Sequence, residues 1–292
     1  MKFGKLESPD GVNFQLPPYQ WLTSSNKGAQ TKVFAGGTMW GIKQWKGSFF
    51  PEKLPQKDFG SWYCKQFGCI ELNATHYRIH PRSTIEKWKN MAGTDFQFCP
   101  KWPQLISHYR RFNNSEGLTD EFLEAIMGFE ELLGPCFIQL PPNFKPTKWQ
   151  ELHSYLTSLP RDIKVAIEFR HPEWFWDENA HVWEALADLG IGSVISDTAG
   201  RRDAVHMKIT APFVVMRFGG YNLHSSDERR LEDWIDLIAV WRELGLESFH
   251  LLIHQPDSIL TPQTAKLWSD LCQKKLGITV KHPQPVSSGT LF

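Results

Sequence analysis

Residues 167–175 read IEFRHPEWF. A carboxylate (Glu168), a guanidinium (Arg170) and an imidazole (His171) close an apolar run, just before a Pro-Glu-Trp turn. Such a trio can hold an anion and move a proton. Arg presents a planar fork matched to phosphate or carboxylate oxygens. Glu and His supply base chemistry, or ligands for a divalent ion. The same kind of ending recurs along the chain. One run leads into Thr38 and Trp40, and another, IELNATHY, into Glu71, Asn73, Thr75 and Tyr77. Others end at Lys101-Trp102, at Gln139 before Leu140-Pro141-Pro142, at Asp197-Thr198, at Arg217 and at His254-Gln255. Glu71 and Asn73 lie two apart, as do Glu168 and Arg170, so each pair shares one face of an extended strand. Glu71, Glu168, Asp197 and His171 are the candidate catalytic groups. Thr38, Trp40, Asn73, Tyr77, Lys101, Gln139, Arg170, Arg217 and His254 are the candidate substrate contacts.

Each of these has a plainer alternative. Glu168 and Arg170 can simply pair with each other. Asp197 can cap a helix. His171, before Pro172, can hold the turn, and Gln139 can bond within a packed layer. His108, Arg110 and Arg111 in SHYRRF read as the solvated face of a helix. Against that, buried charges cost several kcal/mol unless paired. Nearly every run ends on such a group, which points to a shared pocket.

The positioning elements follow from the apolar pattern. Short runs at 33–36, 69–72, 96–99, 136–140, 164–169, 193–196, 213–218 and 249–253 suit strands buried on both faces of a parallel sheet. Helix-length segments alternate with them. Ser83-x-x-Glu86 and Thr147-x-x-Gln150 match capping boxes, and Thr261-Pro262 matches an N-cap followed by a first-turn proline. Gly190, Gly245 and Gly277 stand where helices should stop. Eight strand–helix units in 292 residues predict an α/β fold, a single (β/α)8 TIM barrel with a parallel eight-stranded core. A doubly wound open sheet is the rival; it usually carries a Gly-rich phosphate turn after its first strand, and GGTMWG lacks the GxGxxG spacing. The expected organisation is an N-terminal extension over 1–30, the barrel over 31–282 and a poorly ordered tail over 283–292.

Bulk properties narrow the setting. Lys plus Arg and Asp plus Glu both number 32, so formal net charge is zero and a whole-surface grip on nucleic acid or anionic lipid is not expected. A local basic patch stays open. The five cysteines form no CxxC pair and fit a reducing compartment. No apolar run is long enough to span a membrane, and MKFGKLESPDG lacks a secretory apolar core. The expectation is a cytoplasmic protein. There are 13 Trp and 20 Phe; Trp40, Trp45, Trp102 and Trp174 fall beside turns and are candidates for pocket walls.

Five blocks carry a family resemblance: GGTMWGIKQWKGSFFP (36–51), IELNATHYRIHP (70–81), FQFCPKWPQLISHYRR (96–111), FIQLPPNF (137–144) and AIEFRHPEWF (166–175). Long and in order, they resemble the YecE-like family, domain of unknown function 72, over about residues 33 to 282. The resemblance implies a TIM barrel but no reaction. The family's recurrent polar positions match Thr38, Trp40, Glu71, Asn73, Tyr77, Lys101, Gln139, Glu168, Arg170, His171, Asp197 and Arg217. Two places depart. Arg217-Phe218-Gly219-Gly220 stands where the family often has Arg-x-His-Gly, and His254-Gln255 where it often has paired Asn.

Three functions compete. The favoured one is hydrolysis of a phosphate-bearing substrate, nucleic acid included by analogy with repair endonucleases built on this barrel type. Lys101, Arg170 and Arg217 then bind phosphate, and Glu71, Glu168 and Asp197 act as bases or hold a divalent metal, with His171 and His254 as further ligands. No HxH or HExxH spacing supports the metal. The second is a carbohydrate-active enzyme with Glu71 and Glu168 as its carboxylate pair and Trp40, Trp102 and Trp174 stacking on sugar rings. Three cations exceed what a neutral sugar needs. The third is a non-catalytic module binding an anion or a partner.

Overall fold

A computed structural model describes residues 3–24 and 30–286. The described residues include ten strands and eight α-helices: β1 (Gln20–Trp21), β2 (Lys32–Gly36), α1 (Phe59–Gln66), β3 (Cys69–Leu72), α2 (Ala74–Tyr77), α3 (Arg82–Lys89), β4 (Gln97–Pro100), α4 (Glu116–Ile126), β5 (Cys136–Gln139), α5 (Trp149–Thr157), β6 (Val165–Glu168), α6 (Ala180–Asp188), β7 (Gly192–Asp197), β8 (Lys208–Ile209), β9 (Phe213–Gly219), α7 (Ser225–Leu244), β10 (Ser248–His254) and α8 (Thr261–Leu276). All eight expected strands are present, within a residue or two of their expected ends, and every pairing is parallel. The order β2-β10-β9-β7-β6-β5 forms a six-stranded sheet, and β3-β4 forms a second sheet.

The expected single closed eight-stranded ladder is therefore met in part: the fold is α/β with parallel sheets, and two seams interrupt the ladder. At one seam, Gly68 N–H donates to Ala35 O (3.1 Å) and Glu71 N–H to Gly37 O (3.0 Å). At the other, Gly134 N–H donates to Phe98 O (2.7 Å) and Trp102 N–H to Phe137 O (2.9 Å). Prolines explain the second break: Pro100 ends β4 and Pro135 precedes β5, and neither has an N–H to give. The segment read as an extension contributes β1, which pairs with β8 through register Gln20 to Lys208. Neither short strand was expected; two residues are too few to show a period. Residues 287–292, part of the expected tail, lie outside the described residues.

Helix ends divide the same way. Gly245 and Gly277 close α7 and α8 in the left-handed conformation, and Gly190 follows α6 with φ +67. The capping boxes do not form. Ser83 lies inside α3 behind Pro81, Lys148 is the N-cap of α5, and Thr261 begins α8 after Leu260. In each case the flanking chain enters from the preceding loop with a residue that makes no side-chain cap.

Strand alternation sorts the core. Ile70, Ile138, Ile167, Ile195, Met216 and Leu251 face the helices within the large apolar cluster. Cys69, Cys99, Phe137, Ala166, Val194, Val215 and Leu252 form a separate cluster on the face turned away from them. Two residues beyond those positions, in phase, stand Glu71, Lys101, Gln139, Glu168, Ser196, Arg217 and His254. The polar groups share a face because the period is two.

The β2–β3 seam is tight. A Cβ on Gly36 would lie 1.8 Å from the Cys69 carbonyl oxygen, a backbone atom that cannot move aside. We expect Gly36→Ala to cost about 3 kcal/mol, the upper end of overpacking penalties. Urea unfolding against wild type measures it, and an unchanged midpoint would show that the seam has slack.

Candidate functional site

Arg217, at the end of β9, lies 3% exposed between two buried carboxylates. Its Nε and Nη2 donate side by side to Glu71 Oε2 and Oε1, both at 3.0 Å. Its Nη1 donates to both oxygens of Glu168, at 2.9 and 3.1 Å. Glu168 also accepts from Gln139 Nε2 (2.5 Å), Ser196 Oγ (2.6 Å) and, at 3.4 Å, Arg170 Nη2. His254 Nε2 is 2.8 Å from Glu71 Oε2. Residues from β3, β5, β6, β7, β9 and β10 thus meet in one hydrogen-bonded cluster.

The charges settle accordingly. Burial alone would raise Glu168, but Arg170 and Arg217 outweigh it and hold the carboxyl well below its ordinary range. Burial likewise opposes Glu71, and Arg217 and His254 hold it down. Burial opposes charge on Arg217 too, yet Glu168 and Glu71 keep it firmly protonated. Burial, with Arg217 beside it, lowers His254. A neutral His254 must donate Nε2–H to Glu71, because a carboxylate can only accept. Its Nδ1 is then left with a lone pair.

Lys101 is different. It is 7% exposed, yet among the described residues no carboxylate oxygen lies within 4.0 Å of its ammonium and no hydrogen bond engages it. Burial and the Arg217 and Arg170 guanidiniums pull its pKa down to about 8. Arg170 is also underused: its buried Nε has no partner. Two carboxylates face two arginines and a lysine, so one positive charge is uncompensated.

The remaining candidates sit elsewhere. Asp197 is one residue out of phase with Ser196 and faces α7. It binds Arg202 Nη1 (2.5 Å), Arg230 Nη1 (3.2 Å) and Trp234 Nε1 (2.8 Å), an internal network separate from the Glu71–Arg217–Glu168 cluster. His171 Nδ1 accepts Glu173 N–H at 3.3 Å and holds its turn. Asn73 precedes α2, its carbonyl accepting His76 N–H. Thr38 and Trp40 are half-buried, and Tyr77 is 70% exposed on the rim. Of the tryptophans expected as pocket walls, Trp45, Trp102 and Trp174 are fully buried. Their indoles donate to Ile259 O, Tyr155 Oη and Phe144 O, so they are core residues. Local sequence showed them beside turns but not how deeply the loops fold back.

A divalent ion finds no open donor set among these groups. Glu71 and Glu168 are occupied by the bonds just given. Among the described residues no group of three or more His, Cys, Asp or Glu side chains is placed to hold a metal.

One contributor gave no local signal. The N-terminal segment crosses the C-terminal ends of β6, β7 and β9. The Phe3 ring lies 4.6 Å from the Arg170 guanidinium carbon and 4.7 Å from that of Arg201. Gly4 O accepts Gly200 N–H (2.8 Å) and Thr198 Oγ (3.1 Å). Gly4 has φ +65, and a Cβ there would strike Thr198 Oγ, so only glycine fits. Leu6 N–H donates to Tyr221 Oη (2.8 Å). Beneath Phe3, Gly4 and Lys5 is a cavity of about 150 Å³ bordered by His254, Gly219 and Gly220.

Comparison with known proteins places the chain. The family "Protein of unknown function DUF72" matches residues 34–288. UPF0759 protein YecE of Escherichia coli K12 is 29% identical over 249 residues, 75% of this chain and 91% of that protein. UPF0759 protein YunF of Bacillus subtilis 168 is 30% identical over 152 residues, 49% of this chain and 52% of that protein. The crystal structure of a DUF72 family protein from Enterococcus faecalis V583 superposes with a TM-score of 0.65 at 16% identity, covering 87% of this chain and 98% of that one. That likeness carries the fold alone.

Removing Arg217 should expose its function in the cluster. We expect Arg217→Met to cost about 3–5 kcal/mol, because two buried carboxylates lose their counter-charge. The pH dependence should also invert. In wild type both carboxyls are held below their unfolded values, so the pairing stabilises fully above about pH 4.3 and is lost as pH falls through the folded pKa values. In Arg217→Met the carboxyls should rise, and stability should fall as pH increases. Denaturant midpoints from pH 4 to 8 measure this; parallel curves for the two proteins would mean Arg217 does not set the carboxylates' charge.

Proposed function

The chain belongs to the DUF72 family, and we propose that it is a hydrolase for a phosphate-bearing substrate whose anion is held between Lys101 and Arg170 at the mouth of a parallel barrel. The observation that carries this is the uncompensated charge. A buried ammonium without a carboxylate partner is costly, and an anionic ligand removes that cost. The orphaned Nε of Arg170 offers a second donor for the same anion. The hydrogen bonds across both seams support reading the two sheets as one barrel in the order β2-β3-β4-β5-β6-β7-β9-β10. In a barrel of this kind chemistry lies at the C-terminal ends of the strands, where the cluster stands.

The division of labour follows from charge. Arg217, paired with both Glu71 and Glu168, acts as the frame. Glu71 orients His254 as a carboxylate orients a histidine base. His254 Nδ1 takes the proton of the attacking water. The water oxygen bonds phosphorus, the bond to the leaving oxygen breaks, and that oxygen is protonated from solvent. The carbohydrate alternative fits less well. It needs one carboxyl to arrive protonated, and both are held ionised. Two of its three stacking tryptophans are inside the core. All five cysteines are free and buried, which supports a cytoplasmic setting; among the described residues no helix is long and apolar enough to cross a membrane.

Titration calorimetry with inorganic phosphate tests the anion site. Wild type should bind, and Lys101→Met should weaken binding about ten- to a hundredfold, the worth of a charge-assisted hydrogen bond. Affinity should fall as pH rises through about 8, because Lys101 loses its proton there; Lys101→Met should lack this step. Turnover of a phosphoester panel should be lost in His254→Ala with phosphate affinity kept. Phosphate binding that ignores Lys101 would end the proposal, and binding without turnover of any ester would leave a non-catalytic module.

A further inference from the structure

The chain is neutral overall, yet its charge is segregated. The three loops that follow β3, β4 and β5 span residues 73–82, 101–115 and 140–148. They contain seven Lys or Arg and no Asp or Glu. They are also contiguous in space. Thr75 Oγ donates to Lys101 O (2.8 Å), and the His76 and His108 rings stand 5.2 Å apart, edge to face, joining the first loop to the second. Arg111 Nη2 donates to Asn143 Oδ1 (3.1 Å) and Phe112 packs on Phe144 (5.7 Å), joining the second to the third.

Three of the seven cations have carboxylate partners: Arg82 with Glu86, Lys145 with Glu173 and Lys148 with Glu151. Among the described residues the other four, Arg78, Lys101, Arg110 and Arg111, have none. Arg78 reaches only His80 Nδ1 (3.3 Å), and Arg110 only the Asn114 carbonyl. Two large aromatic rings stand exposed in the same sector: Tyr77, edge to face with His76, is 70% exposed and Tyr109 is 71% exposed. Each immediately precedes one of the unpaired arginines. Burial and the Lys101 ammonium hold His76 and His108 down at about 4, so both imidazoles are neutral rings at physiological pH. The described part of the N-terminal segment, from Phe3 to Leu6, lies on the opposite side, over β6, β7 and β9.

We propose that the loops after β3, β4 and β5 form a docking surface for single-stranded nucleic acid, whose phosphates meet Arg78, Arg110 and Arg111 and whose bases stack on Tyr77 and Tyr109. The combination selects this partner. Unpaired cations along a path suit a phosphate backbone. Exposed rings interleaved with them suit unstacked bases, which single strands offer and duplexes do not. An acidic peptide or an anionic membrane would use the cations and leave the tyrosines without a role. This inference deepens the phosphate reading, because the surface leads to Lys101 and Arg170; it names the phosphate-bearing substrate as a polynucleotide.

Fluorescence anisotropy with labelled 15-nucleotide single strands of DNA and RNA tests it on the full chain. We expect binding that weakens steeply with salt. Tyr77→Ala with Tyr109→Ala should weaken it about ten- to a hundredfold, the usual loss on removing base-stacking rings. Arg78→Ala with Arg110→Ala should weaken it and flatten the salt dependence. All four side chains are exposed, so folding should be kept, which circular dichroism checks. No binding at low salt, equal binding of the duplex, an unchanged affinity in the tyrosine variant, or preference for polyglutamate or phosphatidylserine vesicles would each overturn the proposal. Lys101→Met separates the two readings. If it loses inorganic phosphate but keeps most single-strand affinity, pocket and surface both stand. Phosphate binding without strand binding removes the surface alone; strand binding without phosphate binding removes the pocket alone.

Discussion

Everything at the C-terminal ends of the strands depends on one guanidinium. Arg217 satisfies two carboxylates that arrive from opposite directions in the chain, Glu71 from β3 and Glu168 from β6. Without a counter-ion, two buried carboxylates would neutralise themselves by taking up protons. With it, both stay ionised, and their spare oxygens can organise Ser196, Gln139, Arg170 and His254. Five donors on Arg meet four carboxylate oxygens in planar geometry, which a lysine could not supply. The cluster also ties β3 to the six-stranded sheet, so it braces the seam where ladder bonding is sparse.

That same pairing decides which groups are left over. Arg217 already makes four charged hydrogen bonds to two carboxylates, so it is frame. The groups the cluster holds without satisfying are Lys101, the Nε of Arg170 and Nδ1 of His254. Lys101 shows why burial matters. In water an ammonium beside two guanidiniums would be screened; at 7% exposure it is not. Burial is the larger cause of its depressed pKa, and the two guanidiniums add to it.

Much of this was legible in the sequence, and the failures have physical reasons. Eight apolar runs of strand length correspond to eight strands, and in the structure the two-residue period carries Glu71, Lys101, Glu168 and Arg217 to one face. The same period sends Asp197, one residue on from Ser196, to the other face, where Arg202, Arg230 and Trp234 hold it. Trp102 and Trp174 were misread because position beside a turn says nothing about depth. The capping boxes failed because the prolines and short turns before α3 and α5 shift each helix start by a residue or more. Phe3 was beyond reach. Its contact with Arg170 spans most of the chain, and no local pattern encodes it. Ladder closure was legible at one seam only: Pro100 and Pro135 stand in the sequence without N–H groups to pair, while nothing local marks the break between β2 and β3.

A net charge of zero hides an uneven distribution. It excludes a uniformly basic surface, but charge acts within about a Debye length of 8–10 Å, so only local balance matters to a ligand. Here the balance is uneven by design of the loops. The loop after β6 carries Glu173, Asp177 and Glu178, and its neighbours after β3, β4 and β5 carry cations alone. The N-terminal segment lies across the ends of β6, β7 and β9, and seats Phe3 on Arg170 and Arg201. One side of the rim is thereby closed by the chain itself, with its cations stacked against an aromatic ring. The other side keeps its cations and its rings in solvent, although exposing Tyr77 and Tyr109 gains the fold nothing. Side chains that do not serve stability thus gather in the same loops as an unpaired lysine, which is the arrangement the proposed strand contact draws on.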